Sequence, residues 1–335
     1  MGYEAEKIKA EKKMNKFKRR LFLLVLLIVL TLCVIAAFVG AHTWKYYFDL
    51  PSVGARAEGE LRVHFLDVGQ GDCTVVELPD DKIMLIDGGN TSEESATAIM
   101  RYFKALQIEA IDYLLVTHAD SDHCGGLTTI LQEYTPKRAF LPVSEQTDTG
   151  AYAEFFEALV KTDCAWQYSN RSVDLSSEGE YPYTLRFLYP YTIDTEGEPI
   201  SPQTDNEGSA VVWLDYRGAS VLFTGDAPKT TEEKLLRDDR LGLLTNTGVA
   251  LSSTEILKVA HHGSADSTSR EFVEYLGVEH AVISCGEDNL YGHPSNEACA
   301  ALTGARAEIL RTDLHGHVIA TLSATGNYNF EKLGK

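Results

Sequence analysis

The apolar run Tyr113-Leu114-Leu115-Val116-Thr117 ends in His118-Ala119-Asp120-Ser121-Asp122-His123. A chain that folds this way must hold four potential metal ligands within one turn at the end of a buried strand. Desolvating imidazole and carboxylate groups without partners is costly, so folding alone does not account for the cluster. Convergence on a cation does. Such ligands sit about 2–2.2 Å from the ion, and an irregular turn after a strand brings successive side chains to one centre. Gly125-Gly126 follow at once and permit the turn and the close approach of the next helix. N-capping aspartates in a polar loop explain one such residue, not four ligands in six positions.

Two further segments repeat the pattern of a strand delivering chemistry at its end, and a third is a turn. Val221-Leu222-Phe223-Thr224-Gly225-Asp226 presents a carboxylate after a glycine. There it bridges two cations, or caps a helix over 229–238. Ile256 to Ala260 is apolar except at Lys258 and ends in His261-His262-Gly263-Ser264. One histidine of that pair can ligate while its neighbour faces the substrate. Asn289-Leu290-Tyr291-Gly292-His293-Pro294 reads as a turn. In it His293 is placed to hold an oxyanion or to give a proton to a leaving group, and a purely structural turn fits the segment equally well.

The surrounding pattern predicts layered α/β structure. Strand-like runs fall at 61–67, 73–78, 83–87 and 112–117, with helices at 92–106 and 126–134. Strands at 183–189, 209–215, 219–224 and 255–260 follow, with helices at 229–238 and 268–276. The end reads strand 279–285, helix 295–303 and strands 307–311, 315–322 and 326–331. Residues 142–182 are polar and irregular apart from a helix at 151–161, and read as an insertion over one face.

Leu21 to Gly40 is a run of 20 residues without a charge, the length a helix needs to cross a bilayer. Eight Lys and Arg residues precede it, from Lys7 to Arg20, and Trp44, Tyr46, Tyr47 and Phe48 follow. The positive-inside bias predicts a cytoplasmic basic tail over 1–20, a single membrane span over 21–40, a linker over 41–60, and a domain over 61–335 outside the cytoplasm. A cleaved signal peptide is the rival reading, but its apolar core is usually about 7–15 residues.

Net charge is −19; residues 1–20 carry +5, so the remainder carries −24. An acidic body repels nucleic acid and anionic membrane at long range and weighs against tight non-specific DNA binding. The six cysteines are scattered, with no CxxC pair, so no zinc ribbon or disulfide framework is indicated.

Taken together these residues resemble the metallo-β-lactamase fold superfamily, and within it the hydrolase domain of the bacterial competence DNA-uptake (ComEC) family. The resemblance runs from about 62 to 322. It rests on His64-Phe65-Leu66-Asp67-Val68-Gly69-Gln70-Gly71-Asp72, Leu85-Ile86-Asp87-Gly88-Gly89 and the His118–His123 motif. Asn206 with Ser209, Thr224-Gly225-Asp226, His261-His262-Gly263-Ser264, Gly292-His293-Pro294, and Arg311-Thr312-Asp313 with Gly316 extend it. It implies a four-layer αββα sandwich with a dinuclear metal site at one edge. His118 and Asp120 would hold one ion. Asp122 and His123 would hold the other, with either His261 or His262, and Asp226 would bridge. Asn206, Ser209, Ser264 and Asn289 would contact substrate. In the wider superfamily the motif is His-x-His-x-Asp-His; here Asp120 stands at the second histidine. Between His123 and His261 there is no histidine, which leaves the first ion one ligand short. The added carboxylate lets manganese compete with zinc.

The expected activity is therefore metal-assisted hydrolysis of a phosphodiester, with DNA as the first candidate substrate. Catalysis would involve Asp122, His293 and the non-ligating histidine of the 261/262 pair. An envelope phosphoester of phosphocholine or teichoic-acid type is the second candidate, and a non-catalytic metal-binding module is the alternative of another class. β-Lactam hydrolysis is a distant third substrate, because Asp120 departs from the lactamase pattern. The chain also departs from the competence protein, which has many spans and an oligonucleotide-fold domain. No protein partner is indicated.

Overall fold

The computed structural model describes residues 2–143, 150–191 and 206–334; the side chains of 4–8, 10–11, 35–44 and 246 lie outside that description. The chain divides into two compact units, 1–50 and 51–335, each described by itself.

The first unit is one helix, α1 (Gly2–Trp44), followed by a short 3-10 turn at Lys45–Tyr47. The helix takes in residues 2–20 of the basic stretch that the sequence presents as a tail. Lys, Glu, Ala and Leu are strong helix formers, and no proline interrupts them. Side chains 21–34 are all exposed. With the side chains of 35–44 outside the description, no helix among the described residues is long and apolar enough to cross a membrane.

The second unit begins with β1 (Leu61–Phe65), β2 (Thr74–Glu77), β3 (Ile83–Ile86), α2 (Glu93–Ala105) and β4 (Tyr113–Leu115). Then come α3 (Ser121–Cys124), α4 (Leu127–Leu131), β5 (Arg138–Leu141), α5 (Gly150–Leu159) and β6 (Ala165–Tyr168). The second half contains β7 (Thr184–Tyr189), β8 (Val211–Tyr216), β9 (Ala219–Phe223), α6 (Lys229–Arg240), β10 (Ile256–Lys258), α7 (Arg270–Leu276) and β11 (His280–Ile283). It closes with α8 (Asn296–Gly304), β12 (Glu308–Arg311), α9 (Thr312–His315), β13 (Val318–Leu322) and β14 (Tyr328–Lys332).

These strands form two mixed sheets, ordered β14-β13-β1-β2-β3-β4-β5-β6 and β12-β11-β10-β9-β8-β7. In the first, β3 to β6 are parallel; in the second, β9 to β12 are parallel. Strand alternation sets the faces. Val63, Phe65, Val76, Met84, Ile86, Leu115 and Phe140 of the first sheet meet Phe187, Val212, Leu214, Val221, Phe223 and Val282 of the second. The intervening Val75, Leu85 and Leu114 are equally buried, so the first sheet is covered on its outer face as well. Leu235, Leu236, Phe272, Val273, Leu276 and Leu302 of α6, α7 and α8 cover the outer face of the second. Parallel strands buried on both faces read as continuous apolar runs, which is why 113–117 and 256–260 stand out in the sequence.

Two expectations change. From Pro51 onward the expected linker is part of the second unit: Arg62 Nη1 donates to Gly54 O at 2.6 Å, Arg56 Nη1 donates to Glu60 O at 2.8 Å, and the Tyr216 hydroxyl donates to Gly59 O. The stretch 142–182 holds an edge strand, β6, besides its helix. Three of that strand's four residues are exposed, so it lacks the alternation that marks a half-buried strand; 144–149 lie outside the described residues.

Phe187 lies between the sheets, 1% exposed and 5.1 Å from the Phe140 ring. Phe187→Ala is expected to lower unfolding free energy by about 3–5 kcal/mol, read from the urea midpoint of the full chain. A loss under about 1 kcal/mol would show that this inter-sheet core is not what holds the unit together.

Candidate metal centre

The parallel strands of both sheets run out at one edge, and the ligand-type residues occupy the turns that follow, the position where sites gather in such sheets. β3 and β4 end level, with Ile86 opposite Leu115. Asp87 therefore lies against the turn after β4: it accepts Thr117 N–H at 2.8 Å and the Thr117 hydroxyl at 2.7 Å. In the second sheet Lys258 is opposite both Phe223 and Val282. Asp226, the His261-His262 pair and Ser284 thus leave neighbouring strands together. A backbone bond from Ala210 N–H to Thr117 O, at 3.0 Å, joins the two sets of turns across the sandwich.

Asp226 is the hub. Its carboxylate is buried, with His123 Nε2 at 3.1 Å from Oδ1, and His261, His118 and His262 Nε2 at 3.6, 3.8 and 3.8 Å from Oδ2. Asp122 Oδ2 lies 3.1 Å from His262 Nε2, and Asp120 Oδ2 lies 3.6 Å from His118 Nε2. Both members of the histidine pair face Asp226: His262 is fully buried, while His261 is half-buried with the Asn206 amide 3.5 Å from its Nδ1. Each has left-handed backbone, with φ of 50° and 53°. Such strain costs on the order of 1–3 kcal/mol per residue and persists where the surroundings fix it; here it turns two successive imidazoles to one carboxylate.

His118 Nε2, His123 Nε2 and Asp226 Oδ1 are buried without a well-aligned hydrogen bond, although the last two lie 3.1 Å apart. Groups of this kind are nearly always paired, and leaving one unpaired costs about 1–3 kcal/mol. Their convergence, with imidazole nitrogen and carboxylate oxygen as donors, fits a divalent cation. Two groups that share His123, namely His118–His123–Asp226 and Asp72–His123–His262, each bring three ligand-type atoms within 4.8 Å. In the second group Asp72 is already held by Lys258 Nζ at 2.7 Å and lies 3.5 Å from His262 Nδ1. Its role is support behind His262, and Asp122 is the carboxylate at Nε2.

The ring nitrogens that face away from the centre are anchored. His123 Nδ1–H donates to Asp87 Oδ2 at 2.8 Å and His262 Nδ1–H to Ser284 O at 2.9 Å. Bonds of this kind fix the tautomer and leave Nε2 for the ion. Asp87, Thr117, Asp72 and Lys258 are functional residues absent from the sequence-derived site. The signal for Lys258 was a charge inside an otherwise apolar strand, and for Asp87 a carboxylate at a strand end before two glycines.

The electrostatics are those of a centre built around positive charge. Burial opposes ionisation of Asp226, but His123, His262 and His118 hold it well below the usual carboxylate range. Asp122 sits at about 2: burial pushes it up and His262 and His123 outweigh that. Burial would strip His262 of its proton, yet Asp226, Asp72 and Asp122 lift it to about 10. His123 is raised well above the ordinary histidine value against burial, by Asp226 and Asp87. His293 moves the other way, lowered by burial and by His261 and His262.

Backbone sterics bring the turns this close. Gly71 has φ +138°, and a Cβ there would stand 2.4 Å from Asp122 O. Gly225, at φ +49°, would place a Cβ 2.9 Å from Thr117 Cβ.

Among the expected substrate contacts, three also have partners within the protein. Ser209 is fully buried and its hydroxyl accepts Asp226 N–H at 3.1 Å, so it shapes the Asp226 turn. Ser264 is buried and its hydroxyl accepts Asp266 N–H at 3.3 Å. Asn289 closes its own loop, donating to Gly286 O and His293 O and accepting His293 N–H, at 2.9, 2.6 and 3.0 Å. Asn206 lies beside His261, as given above. His293 does border the centre: its ring lies 5.5 Å from His261 and 6.3 Å from His262, and its Nδ1 is unpartnered.

The description of the metallo-beta-lactamase superfamily matches residues 66–287, which take in every strand-end turn of the centre except that of His293. The chain belongs to the metallo-beta-lactamase superfamily. Within it, the chain is 29% identical over 280 residues to ComE operon protein 3 of Bacillus subtilis, covering 78% of this chain and 33% of that protein. It is 31% identical over 265 residues to Competence protein ComA of Neisseria gonorrhoeae, covering 77% of this chain and 32% of that one. Endoribonuclease YSH1 of Yarrowia lipolytica is 24% identical over 176 residues, covering 50% of this chain and 20% of that one. The chain spans about a third of the length of the two competence-related proteins.

A metallo-beta-lactamase centre whose ligands carry protons in the absence of an ion must release them on binding. His262 is lifted to about 10 and His123 is raised as well, so a cation binding there displaces protons. Cation affinity is expected to rise with pH, with proton release on binding at pH 7. Calorimetric titration in buffers of different ionisation enthalpy measures this; affinity independent of pH from 6 to 9 would contradict it.

Proposed function

We propose that the chain is a metal-dependent phosphodiesterase acting on nucleic acid. The observation that carries this is the convergence of His118 Nε2, His123 Nε2 and Asp226 Oδ1, buried and without well-aligned hydrogen bonds, beside the ionised Asp122. His118 and Asp120 would hold one cation, Asp122, His123 and His262 the other, with Asp226 between them and His261 adjacent. Zinc and manganese both suit this mixture of imidazole and carboxylate. When bound, two such ions supply Lewis acidity and lower the pKa of water toward neutrality.

The protein's own groups set the rest. Asp122 stays ionised at neutral pH and is positioned to orient an attacking water by accepting its hydrogen bond. His293, half-buried at the rim and held largely neutral, would donate an N–H hydrogen bond to the charge developing on the leaving oxygen. The likeness to competence-related proteins and to a protein named as an endoribonuclease supports nucleic acid as substrate. The charge of −24 beyond residue 20 favours a second reading, an envelope phosphoester that does not require a basic track.

The test is cleavage of single- and double-stranded DNA and of small phosphodiesters by the full chain. Chelation should abolish cleavage and manganese or zinc should restore it, while Asp122→Ala should be inactive. Absence of any cleavage with manganese, zinc or magnesium overturns the proposal; cleavage of small esters alone turns it to the second reading.

We further propose that α1 anchors the chain in the cell membrane through Leu21–Gly40, with the second unit outside the cytoplasm. Fourteen consecutive exposed and mostly apolar side chains, 21–34, need a cover, and the basic residues before them set the orientation. Full-length protein should stay with membranes through alkaline carbonate extraction, and residues 51–335 should be accessible to protease in spheroplasts. Release by carbonate, or protection of those residues, refutes the anchor or its orientation.

A further inference from the structure

We propose that Tyr291 is a stacking platform for a nucleobase beside the bond to be cleaved, which makes single-stranded nucleic acid the substrate form that the centre takes. The inference rests on the phosphodiesterase reading above and gives it a substrate class.

Three rings lie in series from solvent to the centre. Tyr291 is 71% exposed and stacks on His293, with centroids 5.7 Å apart and planes at 23°. His293 stacks in turn on His262 at 6.3 Å and 28°, and His262 Nε2 faces Asp122 and Asp226. The outer face of the series is open. Leu290, beside it, is fully exposed as well. A large apolar pair at the rim of a polar centre is unlike scattered surface leucines, which need no explanation.

The loop that carries Tyr291 is held in place. Asn289 makes three hydrogen bonds that close 286–293 on itself, and Gln70 Oε1 accepts Gly286 N–H at 3.2 Å. A ring on a fixed loop loses little freedom on binding, which is what a stacking surface requires.

Charge decides against a backbone-tracking mode. Glu287 and Asp288 are exposed on this loop, and the body is strongly acidic, so phosphates beyond the one at the centre meet repulsion rather than a basic groove. Aromatic stacking recognises the one part of a nucleotide that carries no charge, and it tolerates any base. In a duplex each base is covered by its neighbours; in a single strand the face is available.

The experiment uses the full chain with manganese, and four substrates: a single-stranded oligonucleotide, its duplex, the same strand carrying abasic sites, and a strand with 2-aminopurine. Tyr291→Ala should raise KM on the intact strand on the order of tenfold with little change in kcat, as expected for loss of one stacked base. Tyr291→Phe, which keeps the ring, should match wild type. On the abasic strand wild type and Tyr291→Ala should behave alike, and 2-aminopurine fluorescence should be quenched by wild type and Tyr291→Phe but not by Tyr291→Ala. An unchanged KM for Tyr291→Ala on the intact strand, or an equal loss on the abasic strand, overturns the platform. If no strand is cleaved by any variant, the phosphodiesterase reading fails, and the fluorescence still decides the stacking by itself.

Discussion

A single buried carboxylate organises this molecule. Asp226 is 2% exposed and has four imidazoles within 3.8 Å of its oxygens. Moving an isolated carboxylate from water into a protein interior costs several kcal/mol even after relaxation. That cost is tolerable only where compensating charge is guaranteed, and here the compensation comes from both sheets. His118 and His123 arrive from the first, His261 and His262 from the second. The sandwich is thereby fastened at one edge by electrostatics and through its middle by apolar packing.

Register makes that arrangement possible. Strands that end level deliver their turns level, and the pairings Ile86–Leu115 and Phe223–Lys258–Val282 are what bring five turns to one place. A slip of one residue would reverse the faces of a strand and would also remove a ligand. The core pattern and the chemistry are therefore under one constraint. The buried pair Lys258–Asp72 belongs to the same economy: a charge in the interior of β10 is matched by a carboxylate that also lies beside His262 Nδ1.

Much of this was legible in the sequence, and the reasons for the remainder are physical. Parallel strands buried on both faces announce themselves as apolar runs, so the positions of His118, Asp226 and His261-His262 at strand ends followed directly. The supporting residues did not, because Asp72 and Asp87 act through other side chains and carry no ligand spacing of their own. Ser209, Ser264 and Asn289 illustrate the opposite case. A polar residue that hydrogen-bonds a nearby turn has the same letter as one that meets a substrate. β6 was missed because an exposed edge strand lacks alternation, and α1 extends over a basic segment because helix propensity there outweighs charge crowding.

The glycines at the centre bear on how such a site fails. At Gly71 a single added carbon would press on the backbone oxygen of Asp122, and the ligand would move although its own chemistry was untouched. Vulnerability in this protein is thus not confined to positions with reactive groups. A collection of inactive variants should contain glycine replacements alongside histidine and aspartate ones, and the two classes will look alike in an assay while differing in cause. One loses a donor atom; the other loses the separation between two loops that only a bare backbone can keep.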